Sequence, residues 1–424
     1  MISEINEGSP IQQYDNEKVP LIKPQVLSLR NKSIYNVLVL GISFCVLFTA
    51  FSPTQNLETT LNADLGFLSL SILYGFLSFS NFFSPMVVLK AGEKISLIIG
   101  TLAYVLYIAA NIKVTPETLC IASGILGIGG AILWTAQGSF VIRCSTEKTL
   151  GLHTGIFFAL FQVNQIIGNL GTGVLLNHGL NLSILFIILS AVCASSIFGF
   201  LLLGNPIKVD ENGVPLVLEK QDDIPMKQRL MATVNILKER PIQLLIPALF
   251  YSGISQSFFF GVFPPLTGKM YLGYIMAVFG VCDALGSVGI GKASDVIGRK
   301  PLIIFSTVCC IGGSIFAYFI STRIEHNQIG YYFICAGLLG FADAGFNTLL
   351  YSLLGALYPK KGEAAVAVFK FVQSIASAIA FFYGHYVVLY KHVIILNSLV
   401  VPACILFLIV DARPKSKISV ESIN

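Results

Sequence analysis

The sequence predicts an all-α integral membrane protein with twelve spanning helices, arranged as two halves of six. Hydrophobic residues make up 55% of the 424 residues and charged residues only 12%, about half the charged share of a typical soluble domain. Twelve segments are long and apolar enough to cross a bilayer, which takes roughly 20 residues. A charged stretch separates six of these segments from the other six. The net charge of +5 is spread over short loops, so we expect no nucleic-acid partner.

The predicted spans differ in length, and several exceed the minimum, which is typical of tilted helices. In chain order they cover 34–55, 66–89, 95–112, 118–142, 150–176, 182–204, 242–264, 270–291, 301–321, 330–358, 364–390 and 392–410. The predicted organisation is a disordered N-terminal tail (1–33), a first half (34–204), a connector (205–241), a second half (242–410) and a C-terminal tail (411–424).

Lysine and arginine predict the orientation. With the N-terminus in the cytoplasm, 22 of the 27 Lys and Arg residues fall on the cytoplasmic side, 4 on the opposite side, and Lys370 inside a span. Positive charge concentrates in cytoplasmic loops, so both termini and the connector are predicted to be cytoplasmic. An odd number of spans would have scrambled this alternation.

The connector ends in a segment with helical periodicity. Met226, Leu230, Val234 and Leu237 recur at helical spacing beside basic residues. This favours an amphipathic helix on the membrane surface over a disordered charged linker.

The loop between the predicted helices 8 and 9 carries a recognisable motif. Residues 291–300 read GKASDVIGRK and resemble the cytoplasmic G-x-x-x-D-R-x-G-R-K loop of major facilitator transporters, whose architecture is also six plus six helices. Val296 departs from the motif where a base is usual. The matching residues are Gly291, Asp295, Gly298, Arg299 and Lys300. The resemblance implies a gate that holds two helices together when the cytoplasmic side is closed; the alternative is a simple basic turn.

Longer stretches resemble the UNC-93-like family of the major facilitator superfamily. They are LFTAFSPTQNLETTL (47–61), LWTAQGSFV (133–141), TGIFFALFQVNQIIGNLGTG (154–173) and GFADAGFNTLLYSLLGALYP (340–359). The segment VFKFVQSIASAIAFFY (368–383) is similar to the subgroup named major facilitator domain-containing protein 11. The family includes a potassium-channel-associated subunit and an endosomal escort of Toll-like receptors. The resemblance therefore implies either a secondary transporter of a small solute by alternating access, or a non-transporting escort or channel regulatory subunit.

Three Asp, Glu, Lys or Arg residues lie inside the predicted spans: Asp283, Asp343 and Lys370. Each lies on a helix that would line the cavity of a major facilitator fold. A lone charge at a helix centre costs about 2.5–3.5 kcal/mol on insertion scales, so we expect Lys370 to face the cavity near Asp343 or Asp283. The pair could couple to a proton or a substrate, or it could only fix helix packing. As a third alternative, Lys370 lies roughly 9 Å from the cytoplasmic start of its helix and could snorkel.

The first half offers only neutral candidates for a binding site. Their amide or indole groups could contact a polar ligand, and they could equally hydrogen-bond or pack between helices. These residues are Gln55, Trp134, Gln137, Gln162 and Gln165.

Two short motifs bear on sorting within the cell and on glycosylation. EKVPLI (17–22) fits an acidic dileucine pattern through Glu17, Leu21 and Ile22, which predicts endolysosomal sorting; the alternative is a chance match and residence in the plasma membrane. Asn181 begins a glycosylation sequon on the predicted non-cytoplasmic side, but it abuts the next helix too closely for easy modification.

Motifs for catalysis are lacking in the sequence: nothing resembles a Walker loop, a nucleophile elbow or a zinc site. We therefore expect no enzyme activity, no cofactor and no metal. The expected partners are the lipid bilayer, a small solute, a proton as a candidate second ligand, and a membrane protein in the regulatory alternative.

Overall fold

The computed structural model describes residues 23–145, 149–206, 208–209, 215–216, 231, 234–323, 329–358 and 362–412. The first half contains α1 (Lys23–Leu61), α2 (Ala63–Ser80), α3 (Ser84–Ala91), α4 (Glu93–Ala110), α5 (Pro116–Arg143), α6 (Leu150–Asn177) and α7 (Leu182–Leu201). The second half contains α8 (Arg240–Ser257), a π-helical turn (Phe258–Val262), α9 (Phe263–Leu266), α10 (Leu272–Ile297), α11 (Arg299–Arg323), α12 (Gly330–Leu357), α13 (Gly362–Gly384) and α14 (Leu389–Asp411). Between the halves, β1 (Lys208–Val209) pairs antiparallel with β2 (Pro215–Leu216).

The predicted set of twelve spans is confirmed. Within the described residues, 11 helices are long and apolar enough to cross a membrane. The twelfth is α6, which has 28 residues but carries Gln162, Asn164, Gln165 and Asn169, and these amides lower its hydropathy. In the connector, residues 234–238 are helical, and most of the predicted amphipathic segment before them lies outside the described residues.

Helix α1 is longer than the sequence predicted at both ends. It begins at Lys23, inside the predicted tail, and it ends at Leu61 instead of at residue 55. The polar residues Gln55, Asn56 and Glu58 looked like a helix end, but all three are buried. Their side chains have partners on neighbouring helices, so the helix continues through them.

Two predicted spans are interrupted. Asn81–Phe83 separates α2 from α3, and Pro85 stands in the first turn of α3, where a missing N–H is tolerated. Between α8 and α9 the chain passes through a π-helical turn, and Pro264 stands in the first turn of α9, two residues after it. A proline removes a backbone donor from the helical ladder, and a π turn is one way the backbone absorbs such a defect.

The halves meet along two pairs of helices, α6 with α10 and α2 with α13. Glycines bring the α6 and α10 backbones into contact: a Cβ at Gly273 would lie 2.3 Å from the Asn169 carbonyl oxygen and 2.6 Å from Gly173 Cα. Farther along, a Cβ at Gly280 would lie 2.5 Å from Cβ of Gln165. Side chains of ordinary size would force these two helices apart.

The contacts between α2 and α13 extend along the whole of α2. At the predicted non-cytoplasmic end, His385 Nδ1 lies 2.8 Å from Asp64 Oδ1. Toward the other end, the ring centroids of Phe82 and Phe371 are 4.9 Å apart. Polar contacts between α6 and α10 run from the C-terminal end of α6 to Gln162.

Candidate functional site

A polar network joins the halves through four helices. Tyr74 on α2 accepts from Gln256 on α8 over 2.8 Å and from Gln55 on α1 over 3.4 Å. Ser377 on α13 donates to Gln256 Oε1 (3.3 Å) and to the Gly253 carbonyl (3.1 Å). Gln55, which was predicted as a ligand residue, lies among these contacts between helices. Its side chain is therefore buried, with 6% exposed.

Asp283 lies near the middle of α10 and is buried, with 5% of its surface exposed. Its Oδ2 accepts a hydrogen bond of 2.8 Å from Gln162 Nε2 on α6. The close approach of α6 and α10 at Gly280 makes this contact geometrically available. A carboxyl group of the second half is thus held by an amide of the first half.

Asp343 lies on α12 and is half-buried. Its Oδ1 accepts a hydrogen bond of 2.8 Å from Asn347, one turn farther along the same helix. Helices α10 and α12 touch at Gly340, where a Cβ would lie 2.5 Å from the Phe279 carbonyl oxygen and 3.1 Å from the Asp283 nitrogen. Asp343 follows Gly340 by one turn, and the two aspartates interact electrostatically.

Lys370 on α13 is exposed, yet it lies on the inward face of its helix. It shares that face with Ser374 and Ser377, and Ser377 contacts α8. The ammonium donates to Gln373 Oε1 over 2.9 Å and lies over the rings of Phe369 and Tyr351, at 5.2 and 5.5 Å.

The ammonium of Lys370 also interacts electrostatically with Asp343. Its hydrogen-bond acceptor is nevertheless an amide, and its other neighbours are aromatic faces, which attract cations. An exposed charge on an inward face means that open space lies beside it, inside the bundle. The structure therefore brings Asp283, Asp343 and Lys370 to one region of the second half, with Gln162 reaching in from the first.

The remaining predicted ligand residues of the first half lie in packed surroundings. Trp134 on α5 is half-buried, and Phe44, Phe48 and Phe161 surround it with ring centroids at 5.3–5.4 Å. Gln165 Oε1 accepts from Asn169 on the same helix over 3.1 Å. Gln137 on α5 is 7% exposed.

The predicted gate loop turns at Gly298, whose φ of +80° favours glycine. Arg299 then donates to Asp411 Oδ1 at the end of α14 over 2.6 Å and to Ser352 on α12 over 3.0 Å. Asp411 thus holds the guanidinium of Arg299, and the side chain of Asp295 lies outside the described residues. Gly291 is half-buried and Lys300 is exposed.

The corresponding loop of the first half has the same geometry with different chemistry. Gly92 also has a φ of +80°. The next residue, Glu93, accepts from Arg143 at the end of α5 over 2.6 and 2.7 Å. Lys94 donates to the carbonyls of Leu201 and Leu203 at 2.6 and 3.2 Å, at the end of α7. Each loop thus holds together helices of its own half at the predicted cytoplasmic end.

Of the predicted sorting motif and the predicted glycosylation site, the structure describes only the second. Glu17, Leu21 and Ile22 lie outside the described residues. Asn181 is exposed and caps α7, since its Oδ1 accepts from the Ser183 nitrogen over 2.8 Å. Ser183 Oγ donates to the Ile112 carbonyl over 3.0 Å, so both polar residues of the sequon have partners in the fold.

Sequence reasoning missed one buried carboxyl group, Glu58. It lies one turn before the end of α1, is 3% exposed, and accepts hydrogen bonds from Tyr107 Oη (2.5 Å) and Asn111 Nδ2 (2.9 Å) on α4. The error was in the end of the first span, which was placed at residue 55. The regular spacing of Gln55, Glu58 and Thr59, which continues one helical face, was the available signal.

The sequence of this chain matches a known protein family over most of its length. A family model described as "Ion channel regulatory protein UNC-93" matches residues 56–408. The chain belongs to the UNC-93 family. It is 30% identical to the UNC93-like protein MFSD11 of Xenopus tropicalis over 87% of this chain and 94% of that protein. It is also 30% identical to the UNC93-like protein 3 of Arabidopsis thaliana, over 91% and 89%.

Solved structures confirm the fold of this family member. The nucleoside transporter NupG superimposes with a TM-score of 0.67 at 13% identity, covering 90% of this chain and 100% of NupG. A D-xylose–proton symporter superimposes with a TM-score of 0.65 at 12% identity, covering 90% and 97%. The predicted major facilitator fold is therefore confirmed.

Proposed function

We propose that this UNC-93 family member is a secondary transporter of a small polar solute that works by alternating access. The observation that carries the proposal is the hydrogen bond between Gln162 and Asp283, which crosses from one half to the other near the middle of the bundle. Rocking of the two halves would break this bond. In a transporter, a bond that breaks with this movement is expected at the site where the substrate binds.

The surroundings of this bond suit a polar ligand. Asp343 and Lys370 bring a further negative and a positive charge to the same region, and such charges inside a membrane mark ion and substrate pathways. Open space beside Lys370, on the inward face of α13, gives a solute room to approach. Amides and carboxyls in this arrangement would accept hydroxyl and amino groups of a small solute.

Uptake by purified protein in liposomes tests the proposal. A panel of small polar solutes, measured with and without a pH gradient, should contain at least one that accumulates. Asp283→Asn should reduce that uptake more than tenfold, since the ligand would lose a carboxylate. Glu117→Gln serves as the matched control, because Glu117 is exposed at the start of α5 and its uptake should stay unchanged. Equal uptake by Asp283→Asn and the unmodified chain would contradict this assignment.

A second function, regulation or escort of another membrane protein, is favoured by one observation: the matching family model is described as an ion channel regulatory protein. In that case the buried charges only fix the packing of the bundle. The liposome panel then shows no uptake above empty liposomes. Co-expression with the partner channel changes its current or its surface amount, and Asp283→Asn retains that effect.

A further inference from the structure

Glu58 and the groups around it form a polar cluster in a corner of the first half, away from the site described above. We call it the Glu58 cluster, and it comprises Glu58, Ser69, Tyr107, Asn111 and Ser123. These residues come from α1, α2, α4 and α5, so four helices meet at one carboxyl group. The cluster lies near the end of α1 at Leu61, close to the predicted non-cytoplasmic surface.

The Glu58 cluster is closely connected. Tyr107 Oη lies 2.5 Å and Ser69 Oγ 3.1 Å from Glu58 Oε2, and Asn111 Nδ2 lies 2.9 Å from Oε1. Ser69 Oγ also lies 2.9 Å from Ser123 Oγ and 3.3 Å from Tyr107 Oη. Ser123 Oγ lies 2.7 Å from the Leu119 carbonyl oxygen.

Counting hydrogens separates two protonation states. A carbonyl oxygen only accepts, so the contact of Ser123 with Leu119 uses the single hydroxyl hydrogen of Ser123. With that bond kept, Ser69 supplies the hydrogen for its contact with Ser123, and the contact between Ser69 and Glu58 needs a hydrogen from Glu58. A carboxylic acid with its proton on Oε2 thus satisfies every contact at once. A carboxylate is satisfied only when Ser123 turns its hydrogen from Leu119 to Ser69, so that Ser69 donates to Glu58.

The charges around the cluster agree with a neutral acid. Its hydrogen-bond partners are hydroxyls and an amide, and a buried carboxylate without a cation is disfavoured. Three charged groups lie at this end of the same helices and the adjoining loop, and all three are exposed: Asp64 (paired with His385), Lys113 and Glu117. Cys45, Tyr74, Tyr104 and Cys120 also lie along these helices, whereas Glu93, Lys94 and Arg143 lie at their opposite ends.

A proton fits this site better than a metal cation. The separation of 2.5 Å between Tyr107 Oη and Glu58 Oε2 leaves no room for an ion between them. Asn111 presents its NH₂ group to the carboxyl, and an NH₂ group is not a cation ligand. Four helices close around the cluster, since a Cβ at Gly66 would lie 2.7 Å from the Glu58 carbonyl carbon.

We propose that Glu58 is a proton-binding site, which holds its proton on Oε2 in the packed state and exchanges it with the predicted non-cytoplasmic side. On release, the O–H bond of the carboxyl breaks, the proton passes to water, and a carboxylate is left in the corner. Ser69 then turns its hydrogen from Ser123 to Glu58, and Ser123 keeps the link from α2 to α5 only by giving up its bond to the Leu119 carbonyl. This site does not depend on whether the chain carries a solute.

Infrared difference spectroscopy of the purified protein between low and high pH tests the proposal. The unmodified protein should show the C=O stretch of a protonated carboxyl, which disappears in Glu58→Gln and persists in the matched control Glu117→Gln. The band should not respond to added sodium. A band that persists in Glu58→Gln, or no protonated-carboxyl band at any pH, would overturn the proposal.

A second variant keeps the test decisive if Glu58→Gln does not fold. Ser69→Ala removes the acceptor of the carboxyl proton while keeping Glu58. The C=O band should then shift, because its hydrogen bond is gone. An unshifted band in Ser69→Ala would show that the proton does not lie between Glu58 and Ser69.

Discussion

Two buried acidic regions of the molecule use the same functional group in different ways. Glu58 is enclosed within one half, and its partners are hydroxyls and an amide of α2 and α4. Asp283 is also buried, but its partner Gln162 belongs to the opposite half, and Asp343 and Lys370 lie near it. The first arrangement would persist if the halves moved, whereas the second would have to change. Glu58 therefore links helices of one half, and Asp283 links the two halves to each other.

Truncation of Glu58 should have the largest effect on stability. Glu58→Ala strands the Tyr107 and Asn111 donors and leaves a cavity, so we expect a loss of about 3 kcal/mol in the free energy of unfolding. Asp283→Ala should cost less, since Gln162 borders the interface between halves and can find another partner. Unfolding of the purified variants in detergent measures both, and equal losses would remove the distinction between the two regions.

A double-mutant cycle on Lys370 and Asp343 should show the next largest effect. Removing either charge leaves the other without its electrostatic partner, so the two changes should couple by about 1 kcal/mol. The variants are Lys370→Met, Asp343→Asn and the double variant, compared by thermal unfolding, with a parallel cycle on Asp283→Asn. Additive effects in both cycles would mean that Lys370 faces the cytoplasm as a membrane anchor and pairs with neither aspartate.

A smaller effect is expected at Arg299 and Arg143, at the predicted cytoplasmic end. Arg299→Gln breaks contacts to both α12 and α14, whereas Arg143→Gln breaks a contact to Glu93 next to the preceding loop. Arg299 is also less exposed, at 24% against 37%. Exposed ion pairs contribute about 1 kcal/mol or less, so both shifts in melting temperature should be modest, with the larger in Arg299→Gln. The reverse order would show that the contact of Arg143 with Glu93 contributes more stability than the contacts of Arg299.

The smallest effect concerns the pair between Asp64 and His385, which joins the halves at the opposite end. Asp64 is 75% exposed, so its ion pair should contribute below about 1 kcal/mol. His385→Gln should therefore lower the melting temperature only slightly, by less than Arg299→Gln does. Thermal unfolding of the two variants in detergent measures the difference. A larger drop in His385→Gln would reverse this order.

The fold followed from the sequence because its signals are long and repeated. Apolar segments and alternating positive loops report on the same topology many times over. A local break in a helix has no repeated signal of this kind in the sequence. The interruption at Asn81–Phe83 and the π-helical turn after α8 were therefore not predicted. The twist of a single turn depends on its tertiary neighbours.

The site could be predicted only in part, for a related reason. A charge inside an apolar span is conspicuous, so Asp283, Asp343 and Lys370 were singled out. Their partners were not recognisable, since Gln162 lies 121 residues from Asp283 and many amides were equally suitable. Glu58 escaped because buried polar neighbours at the end of a helix resemble a loop when only the sequence is read.

The glycine contact between α6 and α10 also has a mechanical consequence. Gly173 lies near one end of α6, so about 35 Å of helix extends from this contact to Leu150. A rotation of about 10° around the contact would carry the far end through about 6 Å. Such a rotation would need little repacking where the two backbones touch, and it would produce its largest displacement at the Leu150 end of α6.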